Sequence, residues 1–225
     1  MPLIAKNTGG DRVEQPALEP KAYPARLVRV ITLGLQPQLA WEGQKKDPIE
    51  KIDLTYELSD EFMVDANGDI QEDKPRWVSK TMPFYGLGAE KSNIARHYKG
   101  LDPTDACEGD WEKLLGMPCQ VTLTKELNKK KKLTNYISDV TGPVSVKGYV
   151  QPPLVNDPTL FDVENPDIEM FNGFPAWLKE RIQSHLKYNG SVLQGLLGEA
   201  PAPVANDPHV GNAAPPAPPA PDVPQ

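Results

Sequence analysis

The chain reads as a mainly β protein built on five strands, and three observations carry that reading. Ile52, Leu54, Tyr56 and Leu58 alternate with Asp53, Thr55 and Glu57, and Cys119, Val121, Leu123 and Leu127 alternate with Gln120, Thr122, Thr124 and Glu126. A period of two places one kind of residue on each face of a strand. Turn chemistry separates such segments at Asp65-Ala66-Asn67-Gly68-Asp69 and again at Asn128 to Lys132. Within this β-rich body, helical spacing is confined to a short stretch before the fourth strand.

Taken in order, residues 1–22 are polar and proline-bearing and predict a flexible N-terminal arm. Ala25 to Leu35 is rich in Val, Ile and Leu and forms a long first strand, with Gly34 suited to a bulge. A polar loop, Gln36 to Pro48, carries Trp41, Lys45 and Lys46. The strand over Ile52 to Leu58 should bury one face and wet the other. Asn67-Gly68 then offers the positive φ angles of a tight hairpin; the calcium-loop alternative fails because the glycine and the closing glutamate stand at the wrong offsets. The third strand runs from Arg76 to Phe84.

Ile94, Tyr98 and Leu101 at i, i+4 and i+7 predict a short amphipathic helix over Ser92 to Leu101. Asp110 is placed to cap a further helical turn through Leu115, stopped by Gly116 and Pro118. Strands from Cys119 to Leu127, interrupted by Lys125 on the apolar face, and from Leu133 to Val140 complete the series. Three strands, a helix and two strands, with long first and fourth connections, is the plan of an OB-fold, a small five-stranded barrel, over residues 23–150.

Residues 151–198 read as an acidic extended segment followed by C-terminal helices. Pro175 fits a first helical position, Leu178, Ile182, His185 and Leu186 share a stripe, and Ser191 caps a last short helix. From Glu199 to the end, Pro and Ala dominate without a single Lys or Arg, which predicts a disordered tail over 199–225.

The net charge of −7 argues at first against a nucleic-acid partner. Its distribution changes that argument: residues 21–150 carry 19 Lys+Arg and 19 Asp+Glu, whereas residues 151–225 carry 3 and 9. The body is neutral with its bases bunched, and the acid collects behind it. Cys107 and Cys119 form no Cys-x-x-Cys and have no His pair nearby, so no zinc site is expected and both thiols should be buried or inert in a reducing cytoplasm. No apolar run reaches signal-peptide or membrane-spanning length.

Catalysis finds no footing. There is no Walker loop, no Gly-x-Ser-x-Gly elbow, no His-Glu-x-x-His and no dinucleotide fingerprint, and His97, His185 and His209 stand apart in sequence. The chain is therefore expected not to be an enzyme and to need no cofactor or metal. Binding has better support. Lys129, Lys130, Lys131 and Lys132 fill the turn between the last two strands, with Tyr136 just inside the second of them. An OB barrel would bring that turn towards Trp41, Lys45 and Lys46 of the first loop and Arg76, Trp77, Lys80, Phe84 and Tyr85 at the third strand. Lysines track phosphates without reading sequence, and each stacked base contributes about 1–3 kcal/mol. Trp77 and Phe84 serve equally well as core if the register slips by one. Trp111 and Trp177, within apolar helical patterns, should be packing residues.

Pro24-Ala25-Arg26-Leu27-Val28 with Leu33-Gly34-Leu35-Gln36, Lys74-Pro75-Arg76-Trp77-Val78-Ser79, Leu114-Leu115-Gly116-Met117-Pro118-Cys119 and Phe174-Pro175-Ala176-Trp177-Leu178 together resemble a family of tailed-bacteriophage single-stranded DNA-binding proteins with an OB-fold. The resemblance spans about Tyr23 to Gly198. It implies a role in phage DNA replication or recombination, coating exposed single strands, with phage or host replication proteins and further copies of the chain as additional partners. Many proteins of that functional class end in a dense acidic tail, whereas only Glu199, Asp207 and Asp222 follow the last helix here. If acid competes with DNA, Asp157, Asp162, Glu164, Asp167 and Glu169 are better placed than the terminus. Two other readings compete: a virion structural or assembly protein using the barrel for protein contacts, and an enzyme of nucleic-acid metabolism.

Overall fold

A computed structural model of the chain describes residues 13–38, 44, 46–128 and 130–199. It is mainly β. Five strands, β1 (Ala22–Gln36), β2 (Ile49–Val64), β3 (Ile70–Pro83), β4 (Pro118–Leu127) and β5 (Leu133–Thr141), form one curled antiparallel sheet in the order β3-β2-β1-β4-β5. Helix α1 (Asn93–Leu101) lies between β3 and β4 in the chain. Four antiparallel steps separate β3 from β5, so the two edge strands run in the same direction. The curl brings them together into a half-barrel, where Lys80 Nζ of β3 donates to the Ile137 carbonyl of β5 at 2.8 Å.

The first core fills this curl. Leu27, Val30, Leu54, Tyr56, Val121, Leu123 and Ile137 meet Ile94, Tyr98 and Leu101 of α1. Ser92 caps α1 by accepting from the Ala95 amide at 3.2 Å. Gly100 lets the helix come down on β5, because a Cβ there would stand 2.3 Å from the Val140 carbonyl oxygen. The same core holds Trp111, edge-on to Tyr98 at 5.6 Å.

Residues 151–199 pack on the same sheet. Strand β6 (Thr159–Phe161) pairs in parallel with Arg29 to Ile31 of β1. Helices α2 (Ile168–Gly173), α3 (Ala176–Gln183) and α4 (Val192–Leu196) build a second core with Ile31 and Leu33 of β1. Phe161 and Phe174 meet edge to face at 5.2 Å within it. Gly34, at φ +67°, forms the expected bulge in β1, and the His185 ring fills the space a Cβ would take.

Several expectations are corrected. The polar face of β2 is not wet: Asp53, Thr55 and Glu57 are buried. The Val155 amide and Asn156 Nδ2 of the extension donate to Glu57, while Ser79 and Thr81 of β3 meet Thr55 and Asp53. Residues 13–21, taken as part of a flexible arm, lie against the sheet with Leu18 in the first core. Asp110 opens a turn, accepting from the Glu112 amide at 2.9 Å, and no helix follows before β4. In the β2–β3 turn only Gly68 takes a positive φ, because Asp65 closes a longer turn by accepting from the Asn67 and Asp69 amides. Trp177 and Leu186 are exposed, since the side of α3 that packs carries Leu178 and Ile182. Trp41, Lys45, Lys129, His209 and the tail after Glu199 lie outside the described residues.

Candidate nucleic-acid interface

The seam between β3 and β5 opens at one end into a groove of about 370 Å³. Arg76, Trp77 and Val78 line it from β3, Thr134 and Asn135 from β5, and Lys132 from the turn before β5. Three of the residues expected to bind, Arg76, Trp77 and Lys132, therefore share one concavity.

The lysine turn stands at the mouth of this groove and is held by its first residue. Asn128 Oδ1 accepts from the amides of Lys130 and Lys132 at 2.9 and 3.1 Å, while the Asn128 amide donates to the Lys132 carbonyl at 2.9 Å. Lys131 takes the left-handed conformation at φ 58°, the place glycine occupies in the β2–β3 turn. Lys130, Lys131 and Lys132 are all exposed. Cation crowding of this kind persists because the turn is fixed by an amide side chain rather than by the lysines themselves.

Strand alternation sends neighbouring residues of β3 to opposite faces. Arg76 is half-buried on the inner side, where burial pulls its guanidinium below the ordinary range while Glu61 and the Tyr23 hydroxyl oppose that shift. Lys80, on the same side, is drawn down by burial and then by Arg96. Trp77 faces outwards and is 40 % exposed. Its indole Nε1 donates to Glu57 at 3.0 Å, and the Arg29 guanidinium lies over the ring at 5.5 Å. The indole is thus fixed in orientation yet partly open, the condition for a stacking platform.

The remaining expected residues lie apart or at the margin. Tyr136 points outwards from β5, 41 % exposed, paired across the ladder with Thr124. Lys46 and Tyr85 are exposed at the other end of the β2–β3 pair. Pro83, the last residue of β3, is six residues from Trp77, about 20 Å along a strand. Phe84 packs edge-on against Trp111 at 6.4 Å and is half covered.

Two features escaped sequence reasoning. Lys125 was visible as a break in the apolar face of β4, and it pairs with Glu19 at 2.6 Å beside the lysine turn. Asn135 carried no signal, yet its side chain binds both backbone groups of Leu18, at 2.7 and 2.8 Å.

Elsewhere, a cavity of about 450 Å³ between α1 and the 102–109 loop is lined by Arg96, Lys99, Asp102 and Asp105. Its Asp102 carboxylate is already taken by the Cys107 amide and Thr104. Among the described residues no group of His, Cys, Asp and Glu is arranged to hold a metal ion, and no helix is long and apolar enough to cross a membrane. No protein-family model matches this sequence, and no curated protein matches it.

Proposed function

We propose that this protein binds single-stranded DNA without catalysis and with little preference for sequence. The observation that carries the proposal is that Arg76, Trp77 and Lys132 of the lysine turn line one groove, the guanidinium on the inner side of β3 and the indole on its outer side. Phosphates are held by Lys130, Lys131, Lys132 and Arg76, and a base stacks on the open part of the Trp77 ring. Tyr136 extends the aromatic surface along β5. None of these groups reads a base edge in a fixed direction, so affinity comes from charge and stacking.

In this reading the half-barrel is an OB-fold. Support comes from the strand order, from edge strands that run in the same direction across the seam, and from α1 between β3 and β4. The resemblance to tailed-bacteriophage single-stranded DNA-binding proteins extends the proposal to phage replication or recombination in the host cytoplasm, with replication proteins as further partners. Glu57, capped by the Val155 amide and Asn156 of the C-terminal extension, holds the Trp77 indole at the outer margin of the seam.

Replacing Lys129 to Lys132 with glutamate tests the proposal. Binding of a fluorescent oligothymidine at low salt should fall by at least about a hundredfold, because several phosphate contacts turn repulsive. Unchanged affinity would remove the turn from the interface.

A further inference from the structure

Residues 14–19 form a strap across the open end of the half-barrel. At one end the Gln15 side chain pairs with the backbone of Val64, Nε2 donating to the carbonyl at 2.8 Å and Oε1 accepting from the amide at 2.9 Å. At the other, Asn135 pairs in the same two-way fashion with Leu18. The strap thus ties the end of β2 to β5, and its Glu14, Gln15 and Ala17 line the groove opposite Arg76 and Trp77.

Its two carboxylates lie on cations. Glu14 pairs with Lys132, and Glu19 with Lys125 at 2.6 Å. Both carboxylates are well exposed, at 64 % and 77 % of the side chain; Lys132 is 52 % exposed, and Lys125, largely covered, 21 %. Ion pairs with exposed carboxylates are weak and exchange readily with another anion. The spacing is also that of an extended polyanion: Glu14 and Glu19 are five residues apart, up to about 17 Å of extended chain.

We infer that the strap is a pseudo-ligand, with the carboxylates of Glu14 and Glu19 occupying two phosphate positions of the interface, and that Lys125 and Lys132 are the phosphate contacts it covers. A single strand entering the groove displaces the strap and takes over both lysines. This inference rests on the single-strand-binding reading and adds to it a residue, Lys125, and a self-competing segment. The strap is held by two side chain-to-backbone pairs and by Leu18 in the first core, not by a strand ladder, so displacement withdraws Leu18 but breaks no strand pairing.

The test compares the full chain with the E14Q/E19Q variant, using fluorescent oligothymidine at several salt concentrations. The variant should bind roughly two- to thirtyfold more tightly at low salt, the combined effect of the two ion pairs. Its plot of log affinity against log salt should be steeper by about 1.4, two contacts at about 0.7 each. Hydrogen exchange at the Leu18 and Val64 amides should speed up when oligothymidine is added to the unaltered chain. Equal affinity and equal slope, or slower exchange at those amides, would overturn the strap while leaving single-strand binding intact. Failure of both proteins to bind at low salt would overturn the binding reading itself, and the strap with it.

Discussion

Trp77 shows how one side chain can be legible in type and illegible in place. Its ring belonged to a strand whose register was open by one residue, so core and surface were equally supported. The choice was made by Glu57, which takes the indole N–H, and by Arg29 over the ring, contacts that no local pattern encodes. Trp77→Ala should weaken oligothymidine binding by about 1–3 kcal/mol in a fluorescence titration, and Trp77→Phe by much less, if the ring stacks a base. His97 supplies a second test. It is buried against Tyr56, sharing a 2.9 Å hydrogen bond through Nδ1, and burial, followed by the charges of Lys80 and Arg96, lowers its pKa to about 3. The unfolded chain therefore binds this proton near pH 6.5 while the folded chain does not. Stability should be constant in this respect above pH 6.5 and fall as the pH drops towards 3, by up to about 1.4 kcal/mol per pH unit. Urea titrations of the unaltered chain and of His97→Gln across that range should show the variant with the shallower slope.

The two hairpin turns are built alike, and the likeness explains a cost. Asp65 and Asn128 each accept from the second and fourth amides beyond them, and the fourth residue of each turn is left-handed, Gly68 in one and Lys131 in the other. A lysine in that conformation is strained where glycine is not. Lys131→Gly should raise stability by up to about 1 kcal/mol in thermal unfolding while weakening oligothymidine binding, so that stability and affinity move in opposite directions. Strands and α1 were legible because alternation and helical spacing are local: β4 and β5 fall within a residue of expectation. β2 and β3 run further than their apolar cores indicated, out to Val64 and from Ile70, since the hairpin ladder carries polar residues along with it. The polar face of β2 was misread for a tertiary reason, as Asp53, Thr55 and Glu57 meet partners 24 to 98 residues away in the chain, where alternation carries no information.

At the scale of the molecule, the acid and base that the composition separates are brought back together in only a few places. The C-terminal extension packs on β1 through its own aromatic core and reaches β2 by hydrogen bonds to Glu57, and among the described residues the acid it carries does not line the seam groove. The carboxylate that meets the basic turn is that of Glu14, near the other end of the chain, and Glu19 takes Lys125 of β4. The negative total is therefore compatible with a cationic groove, because the groove's partners are set by topology and not by net charge. The most direct test of the account is titration of fluorescent oligothymidine with the full chain over a range of salt concentrations. The account predicts binding at low salt, with log affinity falling linearly against log salt by about 0.7 for each phosphate held. Absence of binding at low salt, or affinity indifferent to salt, would contradict it.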